Sequence, residues 1–490
     1  MTRKLLLLPL AALLAASCVE SKYEFAALYE GLPFDMPRVE RPAIPAVRVS
    51  LTDFGGVPDG VTLNSDAFAA AIASLSERGG GHLDVPRGLW LTGPITLKSG
   101  IDLHLESGAV VIFSTDTDLY PVINTNFEGT DIRRCTSPLN ARGARNISIT
   151  GDGIFEGQGE YWRGLKPAAV APKTFKRITK MVKGGVTDPE TGIWYPSPGF
   201  MEAKVSSGGL NIPNREFDEE YVKKFLRPVL LSFVECENVL LEGCTYQNSP
   251  CWHLHPLWCK NLIIKDVSVR CPEYSWNGDG LDVDGCENVI VSGAKFDVGD
   301  DGVCIKSGKD EDGRRHARPC HNVLVDGCTV FHGHGGFVVG SEMSGGVYDI
   351  KVTNCTYIGT DAGLRFKSAR GRGGEVRDIW IENVQMKDIV QNSVIFNLHY
   401  MLGNASSNGD DLVREEAVPF DETTPTIRDI HFKNVTVSGA DRCIFINGLP
   451  ESKIRNITFE DCRFESKQEP FVENAENVCI PEGCVHAGQR

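Results

Sequence analysis

Long apolar stretches are almost wholly missing from this chain, and beyond residue 17 nothing resembles a membrane span. Positive charge is also scarce. Fifty Lys and Arg stand against 65 Asp and Glu, a net charge of −15, which argues against nucleic-acid partners and means that any acidic ligand must meet a local cationic patch. Aromatic residues make up only 8%, and paired Cys-x-x-Cys or Cys/His spacings of the zinc-binding kind are lacking, so a zinc site is not expected. What abounds is glycine, 51 residues, which favours tight turns over long helices. Those turns point to β structure. At 490 residues the chain could hold two or three average domains, although repetitive β architectures often run this long as one unit.

The first 18 residues, MTRKLLLLPLAALLAASC, carry Arg3 and Lys4 ahead of a short apolar run and then small residues, as export signals do. Ala15, Ala16 and Ser17 before Cys18 resemble a bacterial lipoprotein cleavage box, which more often has Leu where Ala15 stands. Lipid on Cys18 would place the protein in the outer membrane or periplasm; ordinary cleavage would leave it secreted. Residues 19–46 read as a tether, with Pro33, Pro37, Pro42 and Pro45 keeping it extended. Residues 47–490 read as one domain, expected to be monomeric, with a helix from Asn64 or Ser65 to Gly79 capping its open end through Phe68, Ile72 and Leu75.

A repeat dominates the rest. A polar Asn or Asp, an aliphatic, any residue, another aliphatic, any residue and a polar turn recur from Asn146, Asn238, Asn261, Asn288, Asn322, Asp349, Asp378, Asp429 and Asn456. Most successive starts lie 23 to 34 residues apart. Coils this short bury their alternating apolar residues only by stacking on one another, which describes an all-β parallel β-helix; propeller blades need longer repeats. Cys236, Cys259, Cys286 and Cys320 occupy one equivalent position, and Cys244, Cys328, Cys355 and Cys462 another. Stacked buried thiols explain them better than crosslinks do. A bridge between Cys479 and Cys484 is the one disulfide the spacing suggests. Two insertions break the rhythm, near 155–230 and 390–425. The first holds a helix with Phe175, Ile178 and Val182 inside and Lys173, Lys176, Arg177, Lys180 and Lys183 outside. That basic face is either an ordinary solvated surface or a lip of the substrate cleft.

Chemistry concentrates in NGDGLDVDGCENVIVSGAKFDVGDDGVCIK, residues 277–306. Twenty-one residues, about one coil, separate Asp279 from Asp300, so stacking brings Asp279 beside Asp300 and Asp301. Three carboxylates in one patch cannot all ionise readily, and one should keep its proton, as glycosidic-bond hydrolysis requires. Taken singly, each acid also fits ordinary turn chemistry. Downstream come His334 among glycines and the run GLRFKSARGRGG. Arg365 and Lys367 share a strand face and, with Arg370 and Arg372, make the cationic patch that a sugar acid would need. Asp284, Lys306 and Glu342 are further candidates, and His253 and His255 read as fillers of a coil corner beside Trp252.

The ordered set NGD, GDD, GHG and RFK resembles the Asn-Thr-Asp, Gly-Asp-Asp, Gly-His-Gly and Arg-Ile-Lys signatures of the polygalacturonases, glycoside hydrolase family 28. DFGGVPDGVT also resembles the opening of pectin-degrading β-helices. The resemblance implies a right-handed, pectin-lyase-like β-helix that hydrolyses α-1,4 galacturonosyl bonds of pectin or oligogalacturonides with inversion and without a cofactor. It implies Asp300 as the acid and Asp279 with Asp301 as holders of the attacking water. Asn277 and His334 would orient substrate or tune the acids, and Arg365 with Lys367 would bind a galacturonate carboxylate. Asp282 is expected to reach the cleft. Gly278 and Phe366 depart from the signatures without altering a reacting group. GGFVVGSEMSGG is similar to the bacterial exo-acting members, and KDEDGRRHARP reads as an inserted loop able to close a groove into a pocket. Other readings stay open: a rhamnogalacturonan or branched-pectin glycosidase, a β-helix lyase, or a non-catalytic glycan-binding solenoid.

Overall fold

The computed structural model describes residues 23–207, 223, 225–401 and 413–488. Among these, parallel strands form sheets of 14, 12 and 11 strands that run the length of a right-handed β-helix. Each coil contributes one strand to each sheet, and inward residues stack in register; Leu281, Val303, Phe337, Leu364 and Val394 form one such column. Aromatic rings stack within the core as well, Phe366 on Phe396 at 4.5 Å.

The polar residue that opens each repeat has a distinct cause. All nine repeat-opening residues adopt a left-handed backbone, with φ between +53° and +59°, which Asn and Asp tolerate best among residues with a side chain. Their side chains also link the coils. Asn238 donates to Asn146, Asn261 to Asn238, Asn288 to Asn261 and Asn322 to Asn288, at 3.0 to 3.1 Å. The ladder changes character where Asp takes over, because a carboxylate cannot donate. Arg377 there pairs with Asp378, and Arg428 with Asp429.

Both cysteine columns are thiols pointed at main-chain carbonyls, as Cys259 Sγ to Phe233 O at 3.1 Å and Cys355 Sγ to Thr353 O at 3.2 Å show. The expected Cys479–Cys484 bridge does not form. Cys484 turns into the core beneath the last coil while Cys479 faces solvent, so the two thiols diverge.

The capping helix spans Ser65–Glu77, and its Phe68, Ala71, Ile72 and Leu75 close the core over Leu51 and Trp90. In the first insertion the helix Pro172–Met181 buries Ile178, Val182 just after it is buried as well and Phe175 is partly buried, while Lys173, Lys176, Arg177, Lys180 and the following Lys183 stay exposed. Residues 208–222 and 402–412, parts of the two insertions, lie outside the described residues, as do 1–22 with the export signal and Cys18.

The tether reading of residues 19–46 needs correction from Tyr23 onward. This segment includes a helical turn, Ala26–Tyr29, and lies as a strap on the outer face of the 14-stranded sheet. Phe25 and Val39 are buried there against Leu240, Ile263, Ile290 and Leu324, while Phe34 packs on Trp380 at 5.6 Å. Arg41 secures it by pairing with Glu24 and Glu242. Proline fixed the local conformation as expected, but apolar burial decided where the segment lies.

Candidate active site

The outward face of the 11-stranded sheet carries the site. Strands Leu281–Asp284, Asp301–Lys306, Gly335–Val339 and Ala362–Lys367 stack there, bringing Asp282, Cys304, Val338 and Arg365 into one outward column. At the leading edge of these strands the three expected acids meet. One oxygen each of Asp279, Asp300 and Asp301 lies within 4.8 Å of the other two. Two oxygens at that spacing can both hydrogen-bond one water at about 2.8 Å.

Glycine makes the close approach workable. Gly333 has φ +79°, and a Cβ there would sit 2.4 Å from the Asp300 carbonyl oxygen. Without that side chain the strand turns so that His334 donates its backbone N–H to Asp300 O at 3.0 Å and places Nδ1 3.1 Å from Asp300 Oδ1. Gly299 plays the same part before the acids, since a Cβ would lie 2.7 Å from Glu273 O.

The three carboxyls differ in charge state because their surroundings differ. Asp279 is 4% exposed, and burial, reinforced by Asp300 and Asp282, holds its pKa well above the usual carboxylate range. Burial also acts on Asp300, but the neighbouring His334 outweighs it and keeps that carboxyl below its ordinary value. The attraction is mutual. Asp300 raises the His334 imidazole to about 9. Asp301, 1% exposed, is ion-paired through Oδ2 to Lys367 Nζ at 2.7 Å, while its Oδ1 is buried with no hydrogen-bond partner. Of the trio, the carboxyl pushed upward is therefore Asp279, not Asp300. Side-chain cations meet the trio from two directions, His334 at Asp300 and Lys367 at Asp301.

Asn277 sits at the rim with its Oδ1 accepting from Arg227 at 2.7 Å. Asp282 is fully buried, neither of its oxygens is hydrogen-bonded, and Lys306 Nζ is 3.5 Å away. Burial drives its pKa well up despite that lysine. Arg365 and Lys367 do share a face, as expected, and both lie under the Tyr400 ring at 5.6 and 5.1 Å. Arg370 and Arg372 do not join them. Arg370 is held by Glu451 and Glu415, and Arg372 by Asp310, so these two tie loops together. His253 is structural, buried with Nδ1 2.8 Å from Asp279 O and its pKa pushed down to about 4 by burial.

Further residues complete the site: Lys306 and Glu342 were already candidates in the sequence, whereas Arg227 and a β-hairpin carried no signal there. Arg227 is 1% exposed and grips Pro250 O, Trp276 O and Asn277, fixing the rim beneath the acids. Lys306 bridges Asp282 and Glu342, lying 3.0 Å from the latter, and rests on the Trp252 ring at 4.7 Å. A hairpin, Val122–Phe127 with Thr130–Cys135, stands across the sheet on the N-terminal side of this cluster. Its Phe127 packs on Trp252 at 4.5 Å under the Arg134 guanidinium. The inserted loop expected after Lys306 is a helix, Asp310–His316, that braces the hairpin: Arg315 and His316 pair with Asp131, and Gly129 O accepts from Lys309 N at 2.9 Å. Against the hairpin lies a pocket of about 330 Å³ lined by Phe127, Arg134, Asn140, Ser232 and His255.

Comparison with known proteins agrees with this geometry. The family described as "Glycosyl hydrolases family 28" matches residues 218–480. A probable polygalacturonase of Vitis vinifera is 29% identical over 418 residues, covering 83% of this chain and 72% of that protein. An exo-poly-alpha-D-galacturonosidase of Dickeya chrysanthemi is 28% identical over 83% of this chain, which spans 65% of that longer protein. Among solved structures, a hyperthermoactive exopolygalacturonase from Thermotoga maritima superposes with a TM-score of 0.73 and 31% identity, covering 90% of this chain and 93% of that one.

Proposed function

Since the chain belongs to glycosyl hydrolase family 28, we propose that its three clustered carboxyls hydrolyse galacturonan by removing terminal residues from a pocket closed at one end. The hydrolysis of galacturonosyl bonds follows from family membership; the exo mode, the residue roles and the stereochemistry are inferred from the site. The observation that carries the reading is the meeting of Asp279, Asp300 and Asp301 within 4.8 Å, beside buried cations suited to a sugar carboxylate.

Asp300 is the most accessible of the trio, with its side chain 20% exposed, and is the one that protonates the leaving oxygen. It receives its proton from His334, whose Nδ1 faces it at 3.1 Å. A water held between Asp279 and Asp301 attacks the anomeric carbon from the other side, and the unpartnered Oδ1 of Asp301 accepts its proton. Asp279, whose pKa burial raises, steadies that water by hydrogen bonding. Lys367 keeps Asp301 aimed, and Arg365 offers its guanidinium to the sugar carboxylate at the Tyr400 edge. Asn277 faces the bound sugar from the rim, while Asp282, fully buried beside Lys306, acts from beneath the site. The hairpin, anchored by Phe127 on Trp252 at the N-terminal side of the acids, is what supports exo action on this reading. Export through the N-terminal signal, lipid on Cys18 and a monomeric state complete the proposal.

Chromatography of products from polygalacturonate and from short oligogalacturonides tests it. Galacturonate alone at early times is expected, and NMR of the same digest should show the inverted anomer first. A ladder of oligomers would refute the closed pocket, and no product from either substrate would refute the assignment in favour of rhamnogalacturonan or branched pectin.

A further inference from the structure

Residues 166–183 hold six cations, Lys166, Lys173, Lys176, Arg177, Lys180 and Lys183, and not one acid, in a chain whose net charge is −15. The fold fixes where they point. Ile178 and Val182 are buried against Leu165 and Trp194, with Tyr274 packed alongside, so the opposite face of the helix Pro172–Met181 is forced outward with its charges exposed. Lys173, Lys176, Arg177 and Lys180 recur at three- and four-residue steps and form one stripe, about 10 Å from Lys173 to Lys180. The stripe is joined to the cleft. Lys166 lies with Nζ 5.7 Å from the Trp276 ring centroid, and Trp276 precedes Asn277 at the rim of the acid trio. Among the described residues none of these six side chains enters an ion pair, although most surface cations elsewhere on the chain do.

We propose that this basic helix is a docking surface for the part of a polygalacturonate chain that remains outside the catalytic pocket. A polymer with one carboxylate on every sugar is repelled by the acidic body of the protein, and a local positive strip beside the entrance reverses that field and concentrates chain ends at the site. Lysine suits the task, since a flexible point charge tolerates a sliding polymer that a fixed guanidinium fork would hold in one register. The inference rests on galacturonan being the substrate of the acid trio, and its test separates the two.

The variant combines Lys173→Gln, Lys176→Gln, Lys180→Gln and Lys183→Gln, all at exposed positions. At low ionic strength kcat/KM for polygalacturonate should fall about tenfold, the loss should vanish in high salt, and kcat/KM for digalacturonate should stay unchanged. Equal losses on both substrates, or no loss on the polymer, would overturn the proposal. Binding gives a readout that needs no turnover: with Asp300→Asn in both backgrounds, retardation in polygalacturonate-containing gels should be weaker for the glutamine variant. Retention on phosphatidylglycerol vesicles with equal retardation in the gels would overturn it in favour of a lipid surface. If the unmodified protein fails on digalacturonate yet the gel difference persists, the docking surface stands and the assignment of the reaction falls.

Discussion

At the scale of single residues, the site is a proton inventory. Burial raises the pKa of Asp279, and the charge of Asp300 raises that of His334 to about 9. Asp300→Asn should lower kcat between a hundredfold and ten-thousandfold while polygalacturonate still binds, as measured by steady-state rates beside gel retardation. His334 has a folded-state value near 9, above the ordinary 6.5, so its contribution to stability is complete below pH 6.5 and disappears as pH rises through 9. Thermal melts of His334→Gln should therefore lie below the parent at pH 6 and converge with it by about pH 9.5; a constant gap would show that the imidazole carries no such proton. The four motif triplets were legible because coil stacking turns a 21-residue separation into a neighbour contact. The charge states were not. They depend on which carboxyl the imidazole touches, and Gly333 settles that by a backbone turn that spacing alone does not reveal.

Among elements, the repeat-opening asparagines do two jobs that can be separated. Asn288 sits mid-ladder with φ +59°, donating to Asn261 and accepting from Asn322. Asn288→Ala should cost about 2–4 kcal/mol in urea unfolding through two lost hydrogen bonds and a strained backbone, whereas Asn288→Gly should recover the backbone share of about 1–2 kcal/mol. Equal losses would mean that the left-handed turn contributes nothing. On the proposed exo reading, the hairpin Val122–Phe127 with Thr130–Cys135 is the element that would set product length. Replacing residues 124–133 by a short turn should convert early monomer release into a mixture of oligomers on the same chromatograph. The brace was legible only as an inserted loop in an over-long coil, and the hairpin was not read at all, since both interrupt the repeat. The misplacement of Arg370 and Arg372 has the same origin: Glu451, Glu415 and Asp310 reach them from separate loops.

For the whole molecule, periodicity made the architecture legible, while the strap was hidden by its prolines. A signal for it was present nonetheless. In the four repeats from Asn238 to Asn322 the position that should be arbitrary is aliphatic, Leu240, Ile263, Ile290 and Leu324, and that column is the strap's seat. Removing residues 23–46 should lower the melting temperature and drive self-association in size-exclusion chromatography, because a contiguous apolar stripe is uncovered. The strap also inverts the order of assembly. Tyr23 and Phe25 are synthesised among the earliest residues of the described structure, yet their seat exists only once the chain has been made past Leu324, and Phe34 waits for Trp380. Contacts across some 300 residues close late, so the segment made first is fastened last, and a coil stack arrested halfway carries its own exposed aromatic leader as a mark of incompletion.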